Sequence, residues 1–202
     1  LPPMDELERA AEHTDIHDIV IDEEASTVYL TDPDMSLVDG SIGKGYAVQK
    51  VAEYAKNELG IQYMLFSVGG NVCAIGGHPD GSAWAVGIQN PDVESDQAYI
   101  KKVEVQVLSV VTRGNYQRYY TVDGKRYCHI IDQDTLMPAD NFSSVTIITN
   151  DSGMADAYST AVFNMPLAEG MEFVNQLDGV EAMWILEEGS IQYSDGFEEY
   201  TR

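Results

Sequence analysis

Four segments of the chain hold residues whose types and spacing could bind or transform a small anionic ligand. The first covers residues 39–46 (DGSIGKGY), a glycine-rich loop entering a predicted helix, with Lys44 between two glycines. Free N–H groups, the positive end of a helix dipole and one cationic side chain can together hold an anion. An ordinary helix entry is the alternative. Because the chain has only 11 Lys and Arg residues, a Lys at this position favours a functional role.

The second and third segments carry a glycine pair and a histidine. Residues 67–71 (SVGGN) place Gly69 and Gly70 between two predicted strands, where either a ligand comes close or the chain makes a tight connection. Residues 129–132 (HIID) place His129 near Asp132 after a strand, an arrangement that can bind a ligand or move protons. For a lone histidine, a strand-end ring hydrogen-bonded to a turn is the preferred interpretation.

The fourth segment, residues 154–160 (MADAYST), offers oxygen ligands for a metal. Asp156 and Thr160 are four residues apart on a predicted helix, so both side chains point to one face. Carboxylate, hydroxyl and backbone carbonyl oxygens form a hard site suited to Mg²⁺ or Ca²⁺. The alternative is a helix N-terminal Asp with a Thr that bonds back to a carbonyl, and the spacing does not decide between the two.

The elements that must position these segments follow from hydrophobic periodicity and turn signals. Helices are predicted over residues 4–13, 44–59, 152–165 and 166–177. Strands are predicted over 17–22, 26–31, 62–70, 71–77, 82–91, 100–112, 115–122, 125–132, 144–150, 180–186 and 190–195. Asp123-Gly124 is a strong hairpin signal. This order predicts an α+β domain with a largely antiparallel β-sheet and flanking helices, not a parallel βαβ array.

Composition narrows the classes of function. The 202 residues carry 34 Asp and Glu against 11 Lys and Arg, a net charge of −23. Such a surface repels phosphate backbones and anionic lipids, so nucleic acid and membrane surfaces are poor partners. No apolar run approaches the roughly 18 residues of a membrane-spanning helix, and no membrane span is predicted. An anionic ligand would need a local positive device, such as a Lys, a metal or a helix N-terminus.

Three further features are predicted to have structural roles and no role in ligand binding. Cys73 and Cys128 lie in apolar stretches and are predicted to be buried thiols, with a disulfide unsupported. The tyrosines at 116, 119, 120 and 127 are predicted to pack on a hairpin and not to stack on a cofactor. The acidic tail over residues 196–202 (GFEEYTR) is expected to form a solvated end.

Six segments taken in order resemble the ApbE family, the flavin transferases (FAD:protein FMN transferases) once described as thiamine-biosynthesis lipoproteins. They are GSIGKGYAVQKV, FSVGGNVCAIG, WAVGIQNP, VVTRGNYQRYY, HIIDQDTLMP and MADAYSTAVF. The resemblance covers roughly residues 1 to 186 and implies a T-fold type of domain. It implies a transferase that binds FAD and Mg²⁺, releases AMP, and attaches FMN to a Thr or Ser of a target protein in a redox complex. A Mg²⁺-dependent FAD pyrophosphatase, or a flavin-binding protein without turnover, is the alternative.

The resemblance also assigns roles to individual residues. It implies that Asp156 and Thr160 hold the metal and that Ser41 supplies a further oxygen. Asp39, Lys44, Gly69, Gly70, His129 and Ile130 would contact FAD. His129 and Asp156 would be catalytic, with His129 moving the proton of the acceptor hydroxyl.

The chain departs from the family pattern at several positions. Val38 stands where the loop Asp is usual, with Asp39 one residue later, and Asn71 stands where Asp often follows the glycine pair. Arg113 replaces the usual Ser before Gly114, and residues 133–136 (QDTL) replace Pro-Arg-Thr-Gly. The resemblance further implies a single domain over 1–202 that lacks an N-terminal portion of about a hundred residues. An extracytoplasmic, lipid-anchored location is expected from the family alone.

Overall fold

The fold was analysed in a computed structural model that describes residues 1–201. The helices are Met4–Ala11 (α1), Gly43–Asn57 (α2), Ser152–Asn164 (α3) and Leu167–Asn175 (α4). The strands of the first half are Ile19–Asp22 (β1), Thr27–Leu30 (β2), Met64–Val68 (β3), Asn71–Ile75 (β4), Trp84–Gln89 (β5) and Tyr99–Val105 (β6). Those of the second half are Ser109–Gly114 (β7), Tyr119–Val122 (β8), Lys125–Cys128 (β9), Phe142–Thr149 (β10), Glu181–Leu186 (β11) and Ile191–Tyr193 (β12).

A six-stranded antiparallel sheet in the order β12-β11-β10-β7-β4-β3 forms the centre of the fold. Successive side chains along each strand point to opposite faces of the sheet. Val111, Ile147 and Trp184 face one side, where α3 and α4 pack. Val48 and Ala52 of α2 cover the β4 end of this same side. The α+β prediction with a largely antiparallel sheet is therefore confirmed.

The opposite side of the sheet is covered by the β5–β6 hairpin. Val86 and Val103 of the hairpin pack with Val110, Ile148 and Met183 of the sheet, and all five are buried. Helices therefore cover one side and the hairpin covers the other. This layering leaves the β3–β4 turn, the ends of β4 and β7 and the start of α2 to line a cleft.

Helix α2 approaches α3 unusually closely at Gly45. A Cβ placed on Gly45 would lie 2.1 Å from the carbonyl oxygen of Ser152 and 2.6 Å from Cβ of Asp156. No side chain fits in that space, so glycine is required there. The small residues of α3 allow the same approach from the other side. The contact brings the glycine-rich loop to within hydrogen-bond distance of Asp156.

One hairpin turn forms where the sequence predicts it, and a second forms at the glycine pair, for which a tight connection was one of two alternatives. Gly69 and Gly70 form the two-residue connection between β3 and β4, with φ of +55° and +94°. Asp123 and Gly124 do the same between β8 and β9, with φ of +50° and +82°. Both central residues of each turn lie in the left-handed region, where glycine carries little conformational penalty. Tyr120 and Tyr127 stack across the second hairpin, which confirms the packing role predicted for them.

Several sequence-based predictions are wrong, including the strand predicted over 125–132, which ends at Cys128. The single strand over 100–112 is two strands, because the chain leaves the β5–β6 hairpin at residues 106–108 and enters the central sheet as β7. Unbroken apolar periodicity does not reveal such a change of sheet. Residues 115–118 are a bend instead of strand, since the Tyr116 ring folds back over Gly114.

A further correction concerns the acidic end. Residues 197–200 form a short 3₁₀-helix whose Phe197 is fully buried, stacked on Tyr193 against the central sheet. Thr201 forms an isolated bridge with Val103 of β6. The acidic side chains of this segment are exposed, and the acidic composition gave no indication that one aromatic side chain, Phe197, is buried.

Cys73 and Cys128 are both buried and unpaired thiols, as predicted. Burial raises the pKa of each thiol, because the thiolate is the form that loses most by leaving water. None of the helices in residues 1–201 combines the length and apolarity needed to cross a bilayer.

Candidate active site: a basic cleft around a buried aspartate

Asp156 is the centre of the site, and it is 1% exposed. It lies on the second turn of α3, whose first turn is capped by the Asp151 carboxylate accepting from the backbone N–H of Met154. Asp156 is therefore not a capping residue. Its carboxylate is instead presented sideways, across the close contact with α2 and toward β7.

Both carboxylate oxygens of Asp156 accept hydrogen bonds. The backbone N–H of Gly45 donates to Oδ2 at 2.9 Å, and a terminal nitrogen of Arg113 donates to Oδ1 at 2.9 Å. Lys44 Nζ lies 3.5 Å from Oδ1 and 3.4 Å from Oδ2. One buried carboxylate thus faces two cationic side chains, and the local charge is positive by one unit.

Arg113 is held in place by α3 itself. Its Nε donates to Ser159 Oγ at 3.3 Å, and that hydroxyl donates to the carbonyl oxygen of Asp156 at 2.7 Å. The Arg113 side chain is 10% exposed, against 39% for Lys44. Arg113 is therefore the more firmly positioned of the two cations at Asp156.

A cleft of about 740 Å³ opens beside this ion-pair cluster. The predicted residues that line it are Ser41, Lys44, Gly69, His129, Ile130, Asp156 and Thr160. Asn71, Arg113 and Gln133, which the sequence marks only as departures from the family pattern, also line the cleft, and so do Gln117, Arg118 and Asn164, which it does not single out. Residues from five separate parts of the chain thus meet at one surface, and all four segments singled out in the sequence are among them.

Two of the predicted ligand residues lie off this cleft. Asp39 is exposed, with its carboxylate beside Gly43 at the start of α2, and is not among the lining residues. Gly70 lines a neighbouring cleft of about 440 Å³ on the other side of the β3–β4 turn. Contact of Asp39, Gly70 and Gly69 with a cofactor stays a prediction; a Cβ placed on Gly69 would lie 3.8 Å from Cδ of Lys44.

The Thr160 side chain makes the backbone contact of one of the two interpretations of its spacing from Asp156, and its role as a metal ligand stays a prediction. Its hydroxyl donates to the carbonyl oxygen of Asp156 at 3.2 Å, the back-bonding expected of a helical Thr. Thr160 itself lines the cleft. Carboxylate and hydroxyl oxygens are the donors that Mg²⁺ prefers, and the carboxylate already attracts a cation in the form of Arg113. The oxygen atoms of Asp156 and Thr160 are therefore of the chemical type that binds a divalent ion.

His129 lines the cleft but does not pair with Asp132. The Asp132 carboxylate accepts instead from the backbone N–H groups of Asp134 and Thr135, in a turn. His129 Nδ1 lies 3.3 Å from the carbonyl oxygen of Arg118. A carbonyl only accepts, so Nδ1 carries the proton and Nε2 has a free lone pair.

The pKa of His129 is lowered from its usual 6.5, first by partial burial and then by the positive charges of Arg113, Arg118 and Lys44. The hydrogen bond to the Arg118 carbonyl opposes this shift without cancelling it. His129 is therefore neutral at pH 7 and can accept a proton there.

Two buried polar atoms at the cleft have no partner within residues 1–201. They are Nδ2 of Asn71 and Oδ1 of Asn164. Asn71 is 1% exposed. Buried amide groups nearly always have a hydrogen-bond partner, so one unpaired donor and one unpaired acceptor at the same cleft indicate a polar ligand.

Arg113 is the cleft residue whose contact with Asp156 was not predicted from the sequence. The sequence marks it only as a departure from a family pattern. A physical signal was nevertheless present, because Arg113 is the one charged residue in the otherwise uncharged strand SVVTRG of a chain poor in cations. The same scarcity argument that selects Lys44 selects Arg113.

The sequence of the chain is similar to those of known proteins. The sequence model of the ApbE family matches residues 1–184. An FAD:protein FMN transferase from Klebsiella pneumoniae is 33% identical over 169 residues, 83% of this chain and 51% of the relative. One from Escherichia coli K12 is 30% identical over 192 residues, 94% of this chain and 54% of the relative. The chain thus spans about half the length of the curated relatives it matches.

Solved structures give the same result. The ApbE protein of Thermotoga maritima superposes with a TM-score of 0.89 at 32% identity, over 100% of this chain and 65% of that one. The flavin transferase ApbE of Vibrio cholerae superposes with a TM-score of 0.84 at 26% identity, over 99% of this chain and 63% of that one. Fold and sequence therefore agree on one family.

Proposed function

The chain belongs to the ApbE family, and from that premise we propose that it transfers FMN from FAD to a Thr or Ser hydroxyl of a target protein. AMP is the leaving group, and the reaction depends on Mg²⁺. The proposal is supported by the names of its relatives, which are FAD:protein FMN transferases, and by the chemistry of the cleft.

The charge of the cleft is the single observation that carries the proposal. Three of the 11 Lys and Arg residues line it, namely Lys44, Arg113 and Arg118, against one of the 34 acidic residues, Asp156. The rest of the surface is strongly negative. A concentration of cations at one cleft of such a chain favours an anionic ligand, and the pyrophosphate of FAD is such a group.

Residues of this chain would hold the pyrophosphate as follows. Lys44 and Arg113 donate to phosphate oxygens, and the unpaired Asn71 Nδ2 supplies a neutral donor. Asp156, Thr160 and Ser41 would hold Mg²⁺. When bound, Mg²⁺ neutralises the pyrophosphate and stabilises charge on the departing phosphate of AMP.

His129 would act as the general base. Its Nε2 accepts the proton of the acceptor hydroxyl while the hydroxyl oxygen bonds to the phosphorus of the FMN half. The phosphorus–oxygen bond to AMP breaks, and the bonding electrons leave with AMP. The lowered pKa of His129 keeps the ring neutral at pH 7, as this role requires.

Two alternatives use the same cleft. A water molecule in place of the hydroxyl would make the protein an FAD pyrophosphatase that yields FMN and AMP. A protein that binds FAD without turnover is the third candidate. All three share the phosphate-binding residues, so only the fate of FAD distinguishes them.

The test is to incubate the protein with FAD and Mg²⁺, with and without a candidate acceptor protein and its Thr→Ala variant. Transfer predicts AMP in solution and flavin fluorescence on the denatured acceptor, both absent with the Thr→Ala variant. AMP and free FMN without any acceptor would establish the pyrophosphatase instead. Bound FAD with no AMP under all conditions would contradict both enzymatic proposals.

The target and location are also proposals, supported by the family resemblance. We propose that the acceptor is a subunit of a redox complex and that the protein works outside the cytoplasm, held to the membrane by a lipid. Protease added to whole cells is expected to degrade the protein. Protection until the cells are lysed would contradict this location.

A further inference from the structure

In the structure, the positive charge in contact with the Asp156 carboxylate comes from a side chain of the protein itself, Arg113. The Arg113 guanidinium contacts Oδ1 at 2.9 Å, and the Gly45 N–H contacts Oδ2 at 2.9 Å. Lys44 adds a second positive charge within 3.5 Å of both oxygens. A carboxylate offers about four acceptor positions, so this one has few left.

A divalent ion at Asp156 would meet strong repulsion in this state. The cluster already carries one positive charge in excess, and a divalent cation alone would triple that excess. Like charges at such distances interact strongly where water is largely excluded, and Asp156 is 1% exposed. The pyrophosphate of FAD brings two negative charges, so ion and FAD together would leave the excess unchanged.

We propose that Arg113 prevents the metal from binding until FAD is present, so that metal and FAD enter the site together. Arg113 and Lys44 exchange the carboxylate for phosphate oxygens, and this exchange frees Asp156 for the metal. Arg113 is a positioning residue that couples the two binding events. The inference rests on the proposed function, because FAD is taken as the source of the pyrophosphate.

Metal binding to the protein without FAD tests this directly. Mn²⁺ replaces Mg²⁺, and free Mn²⁺ is measured by electron paramagnetic resonance during a titration. Wild type is expected to bind weakly, and Arg113→Gln at least about tenfold more tightly, because one positive charge has left the carboxylate. Arg118→Gln is the matched control, since Arg118 lines the same cleft without contacting Asp156.

Two more variants separate charge from structure. Arg113→Lys keeps the charge and is expected to bind Mn²⁺ weakly, as wild type does. Lys44→Gln removes the other cation and is expected to tighten Mn²⁺ binding by a smaller factor, because Lys44 is farther from the carboxylate and more exposed. Lys44→Gln also keeps the inference testable if Arg113→Gln fails to fold.

Repeating the titration with FAD completes the test. FAD is expected to tighten Mn²⁺ binding to wild type and to change it much less in Arg113→Gln. Equal Mn²⁺ affinity of wild type and Arg113→Gln without FAD would overturn the inference. Absence of FAD binding to every variant would instead overturn the proposed function, and the FAD-free comparison would still decide the role of Arg113.

Discussion

Asp156 and the two cations that face it concentrate the chemistry of the chain in a few side chains. Lys44 and Arg113 reach the carboxylate from different elements, α2 and β7, and both border the cleft. Their sequence signals differ. The glycines on either side of Lys44 mark it in the sequence. Arg113 reaches Asp156 only because β7 lies beside α3 in one particular register, and no local sequence pattern encodes that register.

Replacing Lys44 by Ala is expected to weaken FAD binding at least about tenfold at saturating Mg²⁺. A charge-assisted hydrogen bond to phosphate is lost, and such bonds contribute about 1.5 to 3 kcal/mol. Flavin fluorescence during an FAD titration measures the affinity. Lys50→Ala is the control, because Lys50 lies on the same helix but pairs with Glu53. Unaltered affinity in Lys44→Ala would count against a phosphate-binding role.

The pKa of His129 is expected to lie below 6.5 when measured by NMR titration of the ring protons. Burial and the nearby cations disfavour the protonated ring. The unfolded chain then binds the proton more readily, so this group favours folding above pH 6.5, and that contribution is lost as the pH falls through the folded pKa.

Arg118→Gln provides the variant for this titration. Removing the Arg118 charge is expected to raise the pKa of His129, while the backbone carbonyl that His129 contacts is retained. Lys125→Gln, on the β8–β9 hairpin, is expected to leave it unchanged. A His129 pKa above 6.5 in wild type would contradict the lowered pKa, and an unchanged pKa in Arg118→Gln would show that this charge does not act on the ring.

The contact between α2 and α3 sets the geometry of the cleft. Gly45→Ala would place a methyl group where only about 2 Å is free beside the Ser152 carbonyl. The two helices would have to separate, at a cost of about 1 to 3 kcal/mol in the free energy of unfolding. Thermal or denaturant unfolding measures this. Gly40→Ala in the same loop meets nothing closer than 3.8 Å and is expected to be neutral. Equal stability of the two variants would refute the account of this contact.

Elements with strong local signals were predictable, and elements that depend on tertiary contacts were not. The Gly69-Gly70 and Asp123-Gly124 turns are identified by residues that tolerate positive φ. The division of residues 100–112 between two sheets was missed, because both strands share one apolar pattern. The burial of Phe197 was missed because acidic neighbours dominate that segment. The family resemblance predicted several of the residues that line the cleft. It did not predict the ion pair between Arg113 and Asp156 within the cleft.

The whole molecule combines a strongly negative surface with a positive cleft. A net charge of −23 on 202 residues means that self-repulsion opposes the compact state. The melting temperature is therefore expected to rise as NaCl increases to about 0.3 M, because the Debye length falls below about 10 Å. KCl should act equally if screening is the cause. A melting temperature that falls with salt would mean that attractive ion pairs outweigh this repulsion.

The most direct test of the central claim is an FAD titration followed by flavin fluorescence, with Mg²⁺ and then with EDTA, in wild type and Asp156→Asn. The account predicts saturable binding to wild type that weakens when EDTA removes the metal. Coupling between two ligands is reciprocal, so the metal must strengthen FAD binding as much as FAD strengthens metal binding. Asp156→Asn should lose this dependence. Binding that is identical with Mg²⁺ and EDTA, or no binding at all, would contradict a metal-dependent flavin site in this cleft.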